Sequence, residues 1–240
     1  RREVPPTPNL PNPKGIFRAF HTLYKEPASM RGTRSLSVKW SDTSRPYGSW
    51  SFSSATRRIT RRSTASRQDH VGGSDMCYDD NLGFDYIIPA QKYKLLGRKE
   101  LLASRHQDPL LLNKEHREGY CFPNGGQHER LNTYMIEAIN KNPSYLYKKQ
   151  IYYICPETWY MMYADKWDRK GKMWKILAFF GNIMKSEYNG ANVYVSVQQH
   201  TIDVQRLHAT GGPVKPVIGE NDKFHVPNFY SPKALQEYGY

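Results

Sequence analysis

The 240 residues carry 35 basic and 22 acidic side chains, a formal charge of +13, which favours anionic partners without choosing among nucleic acid, phospholipid headgroups and acidic protein. The length allows one large β domain or two small ones, and a mean hydropathy of −0.76 leaves a good fraction extended or exposed. No apolar run is long enough to span a bilayer as a helix, and three widely spaced cysteines exclude a zinc signature and a disulfide framework.

Residues 1–14 hold five prolines, so they predict an extended arm without helix or central strand. Residues 15–25 alternate and predict a first strand, Ser35 to Trp40 a second, and Trp50 to Phe52 a short third. Residues 55–70 include Arg57, Arg58, Arg61, Arg62 and Arg67. Such a run is a solvated loop or edge strand, or a phosphate-binding patch, because the guanidinium fork donates two parallel hydrogen bonds. Residues 71–90 are turn-rich and acidic. Asp79 and Asp80 are expected to pair with the preceding arginines, since the spacing matches no calcium loop.

Residues 92–104 predict a strand kinked at Gly97, with a helix as the alternative. Residues 105–130 are polar and irregular, and His106, His116 and His128 are too far apart to form a ligand set. Residues 131–139 predict a strand that joins a meander of three more, at 147–154, 159–166 and 172–180. In the first of these Ile151 and Tyr153 share one face. In the last, Met173, Lys175, Leu177 and Phe179 oppose Trp174, Ile176, Ala178 and Phe180. Both faces are apolar, so either both are covered by protein or one lines an apolar space for a ligand. The valines 193, 195 and 197 mark a further strand, Thr201 to Leu207 the closing one, and 211–216 a loop. Ser231-Pro232 predicts a helix over about 232–238. Cys77, Cys121 and Cys155 fit either one disulfide with a free thiol or three buried thiols.

Several blocks, taken in order, resemble a bacterial envelope family, the domain of unknown function thirteen twenty-nine. They are W-S-F…R-R-I-T-R-R at 50–62, G-G-S-D at 72–75 with Asp79-Asp80, K-Y-K-L-L-G-R-K-E at 92–100 and Y-M-I-E-A at 134–138. They continue with K-K-Q-I-Y-Y-I-C-P-E-T-W at 148–159, A-D-K-W-D-R-K-G-K-M-W-K at 164–175 and F-Y-S-P-K-A-L at 229–235. Cys155 departs from the pattern, which has an aspartate before its turn. The resemblance implies a mainly β (α+β) fold: a curved antiparallel sheet forming an incomplete LolA-like barrel with a few short helices, one domain over 15–240 behind the arm. It also implies an outer-membrane lipoprotein-sorting role in the periplasm or envelope of a Gram-negative bacterium, with any signal peptide removed.

The function expected is a carrier of a lipid or lipidated protein, working beside an RND-type exporter or an outer-membrane partner, with self-association open. The cavity candidates are Ile151, Tyr153, Trp159, Met161, Tyr163, Trp174, Ile176 and Val195, and the anionic-headgroup candidates are Arg57, Arg58 and Arg61. No catalytic constellation, cofactor or metal site is expected. Two alternatives stand beside the carrier: an envelope assembly subunit docking through its prolyl arm, and a basic nucleoprotein component. The ordered blocks disfavour the nucleic-acid reading.

Overall fold

The computed structural model describes residues 14–26, 28–63, 65–107, 128–185, 190, 192–213 and 229–237. The expected prolyl arm at 1–14 therefore lies outside the described residues except for Lys14, as does Cys121. The chain divides into two compact units: residues 68–219 form one, and 2–67 with 220–240 the other.

Among the described residues the smaller unit is a four-stranded antiparallel sheet in the order β1 (Ile16–Leu23), β2 (Arg34–Trp40), β3 (Gly48–Ser53), β4 (Arg58–Arg61). The arginine run thus contributes an edge strand. Helix α1 (Ala234–Glu237) lays Leu235 against Leu36 and Val38, and all three are buried. Arg34, itself buried, donates from its guanidinium to the Leu235 carbonyl at 2.8 Å. The N–H of Ala234 donates to Ser231 Oγ at 3.3 Å, the cap that the Ser-Pro pair predicts.

The larger unit is a seven-stranded antiparallel sheet among the described residues. Its order is β11 (His208–Pro213), β10 (Asn192–Asp203), β9 (Met173–Lys185), β8 (Met161–Trp167), β7 (Lys149–Ile154), β6 (Glu129–Asn140), β5 (Gln91–Ala103). The meander of 131–180 is present in the expected order. Three expected boundaries change. The chain over 192–203 is one strand, and the closing strand is 208–213 instead of 201–207, reaching into the start of the loop expected at 211–216, because the hairpin turn falls at 204–207 with Leu207 at φ 54°. The strand β9 continues five residues past Phe180, with Gly181 lying under the Tyr194 ring, where a side chain would clash. The strand β8 starts at Met161, since Trp159 sits in the preceding turn at φ 55°.

One face of this sheet is covered by the turn-rich segment before β5, which carries short 3-10 turns at Tyr78–Gly83 and Ile88–Ala90. Ala138, Tyr152, Ala164, Leu177 and Phe179 form a buried cluster there, with Phe84 and Met161 packed on it. Gly83 has φ 86°, and a Cβ on it would lie 2.6 Å from Met161 Sδ and 3.0 Å from a Phe179 ring carbon. Gly83→Ala combines a left-handed backbone with overpacking, so it is expected to cost about 2 kcal/mol, read as a lowered midpoint in urea unfolding.

Candidate functional site

Four β-bulges decide which side chains face which way. Each sets two residues against one and so displaces strict alternation. The register slips between Tyr153 and Ile154 against β8, between Lys166 and Trp167 against β9, between Ser196 and Gln198 against β9, and between Leu95 and Gly97 against β6. The expected cavity set is divided as a result. Ile151, Tyr153, Tyr163, Ile176 and Val195 share the face turned away from the 70–90 segment, following the pairings Ile151↔Asp165, Tyr153↔Tyr163, Asp165↔Ile176 and Val195↔Asn182.

Met161 and Trp174 fall on the covered face instead. Met161 packs on the Leu177–Phe179 cluster. Trp174 lies 5.7 Å from the Tyr147 ring and donates its indole N–H to Asp203 at 2.9 Å. Trp174 also rims a cleft of about 500 Å³ with His70, Asp168, Asp203, Gln205 and Arg206, a polar setting. Trp159 is on a turn, 69% exposed, stacked on Tyr134.

The shared face is half-buried and mostly apolar. Ile151, Tyr163, Ile176 and Val195 are partly exposed, while Tyr153 is buried. In its middle stands Asp165, paired across the ladder with both Ile151 and Ile176. The Tyr153 hydroxyl donates to Asp165 Oδ2 at 2.8 Å, and the Lys99 ammonium lies 5.9 Å from the Tyr153 ring. Burial pushes the Asp165 carboxyl above its ordinary 3.8, against the pull of the Tyr153 hydrogen bond and the Lys99 charge. A carboxyl with a raised folded value contributes stability that is complete below the unfolded value and lost as pH rises through the folded one. Asp165→Asn, which keeps an acceptor for Tyr153, should therefore leave stability unchanged at pH 3 and raise it at pH 7, checked by urea midpoints at both.

The chain that leaves β5 is tied to β9. Beyond Ala178, β9 parts from β8, and the chain leaving β5 takes the vacated place. Gly181 N–H donates to the Ser104 carbonyl at 3.2 Å, and Gln107 N–H to the Gly181 carbonyl at 2.9 Å. Arg105 reinforces the tie by donating to Glu129, at 2.7 Å in the closer contact, and to Glu157. The Tyr163 hydroxyl reaches the Leu102 carbonyl at 2.8 Å. Ala103, Leu131, Cys155, Met162 and Tyr194 make a second buried cluster in this unit.

The covered face carries a buried charge network. Lys166 and Asp80 form an ion pair at 2.5 Å with both side chains buried. Asp80 also accepts from the Tyr147 hydroxyl at 2.8 Å and the Cys77 N–H at 3.0 Å. Buried Lys175 donates to the Asp75 carbonyl at 2.6 Å. Asp75 takes the Thr210 hydroxyl and His208 Nδ1, each at 2.7 Å. The expectation that Asp80 pairs with the upstream arginines is overturned: its partner is Lys166, which arrives from β8 on the sheet face that the segment covers. Burial pushes Asp80 up, but the adjacent Lys166 and Lys175 charges outweigh it and hold the carboxyl below 3.8. Cys77 and Cys155 are free, buried thiols, and burial raises the Cys77 thiol above its ordinary value. Two free thiols remove a bridge between this pair.

Arg57 lies at φ 55° in the turn before β4, and Arg58 and Arg61 are exposed on it. Arg61 faces the side of Trp50 and Phe52, while Arg58, three residues away, faces the other. These three arginines belong to the smaller unit and the apolar face to the larger. Among the described residues, no group of three or more His, Cys, Asp or Glu is placed to hold a metal ion. No described helix is long and apolar enough to cross a membrane.

The sequence matches, over residues 2–236, the family described as protein of unknown function DUF1329. The chain belongs to the DUF1329 family. Its fold is shared with a solved domain from Vibrio parahaemolyticus named for outer-membrane lipoprotein sorting, at 17% identity and a TM-score of 0.63, covering 90% of this chain and 76% of that one. It is shared also with a DUF1329 protein from Desulfovibrio piger, at 17% identity, a TM-score of 0.58 and the same coverage. A LolA superfamily protein from Nitrosomonas europaea is similar at 12% identity and a TM-score of 0.48. No curated protein matches the sequence. The fold expected for this DUF1329 chain, mainly antiparallel sheet with short helices and an unclosed barrel, is the one found among the described residues.

Proposed function

We propose that this DUF1329 chain is a carrier that holds the acyl chain of a lipid, or of a lipidated protein, against the half-exposed face of β7 to β10. The observation behind this reading is the asymmetry of the larger unit. One face is closed over a packed core, while Ile151, Tyr163, Ile176 and Val195 remain partly exposed on the other. Burial of a methylene is worth about 0.8 kcal/mol, so a single acyl chain laid on such a face gains several kcal/mol, which permits both capture and release. The lipoprotein-sorting name of the Vibrio parahaemolyticus relative supports the same class of cargo. The reading places the protein in the periplasm or envelope, without catalytic chemistry, handing cargo to or from an outer-membrane partner or an RND-type exporter.

The test is organic extraction of the purified protein followed by lipid mass spectrometry, with saturable uptake of a fluorescent fatty acid measured in parallel. Bound lipid and a stoichiometric uptake curve are expected. Protein free of lipid that also takes up no probe overturns the proposal.

A further inference from the structure

The outermost described strand of the seven-stranded sheet, β5, is unlike an ordinary sheet edge. Its side chains from Lys92 to Leu96 and from Arg98 to Glu100 are exposed. The bulge at its centre leaves Leu96 as an additional residue beside Leu95, and Gly97 takes φ 129° there. Two consecutive leucines consequently stand out, Leu95 at 62% and Leu96 at 38% exposure. Lys92, Lys94, Arg98 and Lys99 flank them, and the strand's one acidic residue, Glu100, is held by Arg130 at 2.8 Å.

An aromatic stack adjoins this strand. Arg98 donates to the Tyr134 hydroxyl at 2.8 Å with its guanidinium 4.5 Å from the ring centroid. Trp159 stacks on the same tyrosine at 5.7 Å and 16° while remaining largely exposed. The left-handed backbone of Trp159 is an uncommon conformation for so bulky a residue, and it leaves a large indole in solvent.

We propose that the β5 edge, with Tyr134 and Trp159, docks on an anionic lipid bilayer. The chemistry is complementary at three depths. Leucines enter the acyl boundary, Trp and Tyr rings lie at headgroup level, and Lys and Arg ammonium and guanidinium groups meet phosphates from flexible stems. A partner β-strand is the poorer occupant. Adding a strand needs a regular run of free N–H and C=O groups, and a bulge in mid-strand interrupts that ladder. This proposal stands apart from the carrier reading, since it uses neither the Ile151–Ile176 face nor a bound cargo.

The experiment is co-sedimentation of the full chain with vesicles of phosphatidylcholine alone or with a third phosphatidylglycerol. Four proteins are compared: the unmodified chain, Lys92→Glu/Lys94→Glu, Leu95→Ser/Leu96→Ser, and the control Lys25→Glu/Arg31→Glu, two exposed residues of the other unit, which changes the net charge equally. Binding preferring anionic vesicles is expected. Each edge variant should lose at least tenfold in partitioning, and the control about twofold or less, with thermal unfolding unchanged for all four. Equal losses in the charge-matched control, or no preference for anionic vesicles, would overturn the proposal. So would a concentration-dependent dimer in sedimentation velocity that the edge variants abolish, which would give the edge to a second copy.

Discussion

Asp80→Ala is expected to destabilise the larger unit by about 3–5 kcal/mol, because it leaves the Lys166 ammonium buried without its counter-charge. The same change removes the acceptor of the Tyr147 hydroxyl and of the Cys77 N–H, so three donors lose one partner together. Urea unfolding followed by tryptophan fluorescence measures the loss, since Trp174 lies against Tyr147 at the edge of this network. Replacing both charges, as in Asp80→Leu with Lys166→Met, should recover a large part of it, since an apolar pair avoids the desolvation that the ion pair must offset. A single-variant loss under 1 kcal/mol would mean that the ion pair is not what fixes the Tyr78–Gly83 turn to the sheet.

The pH dependence of that contribution has a definite sign. Asp80 titrates below its unfolded value of 3.8 in the folded chain. Its stabilisation is therefore complete above 3.8 and is lost as pH falls through the depressed folded value. The acid limb of the stability profile should flatten in Asp80→Asn. Asp165 works in the opposite sense on the other face, since its folded value is raised. The two carboxylates can be separated by measuring single variants on either side of that unfolded value.

The order of strands was legible because Tyr, Ile, Trp and Phe runs alternate with short turn signals, and those signals act locally. The division of side chains between faces was legible only until the first bulge. Trp174 and Ile176 are two apart and belong on one side by alternation, yet the slip against Trp167 turns Trp174 towards Lys175 and Asp203. A bulge is set by the partner strand, which a local pattern does not contain. The charge network was missed for a similar reason. Lys166 and Lys175 interrupt apolar runs at positions facing inward, which is the available signal, but their partners lie 86 and 100 residues away in the chain. The strand at the valines and the one expected from Thr201 are a single strand, β10, that runs through the polar Gln198-Gln199-His200. Gln198 and His200 are buried within it, with His200 packed edge-on to Phe180.

Ile176 and Leu177 are neighbours in β9 with opposite expected behaviour. Leu177 is fully buried against Ala138, Tyr152, Ala164 and Phe179, so Leu177→Ala should cost about 2–5 kcal/mol through lost burial and a residual cavity. Ile176 is partly exposed on the other face, beside Asp165 and Ile202. Ile176→Ser should change stability by about 1 kcal/mol or less, as expected away from a packed core, yet weaken fluorescent fatty-acid uptake at least tenfold when combined with Ile151→Ser. The contrast follows from the two-residue period of the strand, which sends adjacent side chains to opposite sides. It separates a cargo-binding face from a merely under-packed one, because an under-packed face would give both changes an effect on stability and neither an effect on uptake. Unaltered uptake in the serine pair, with the fold intact, would remove β7 and β9 from the cargo site.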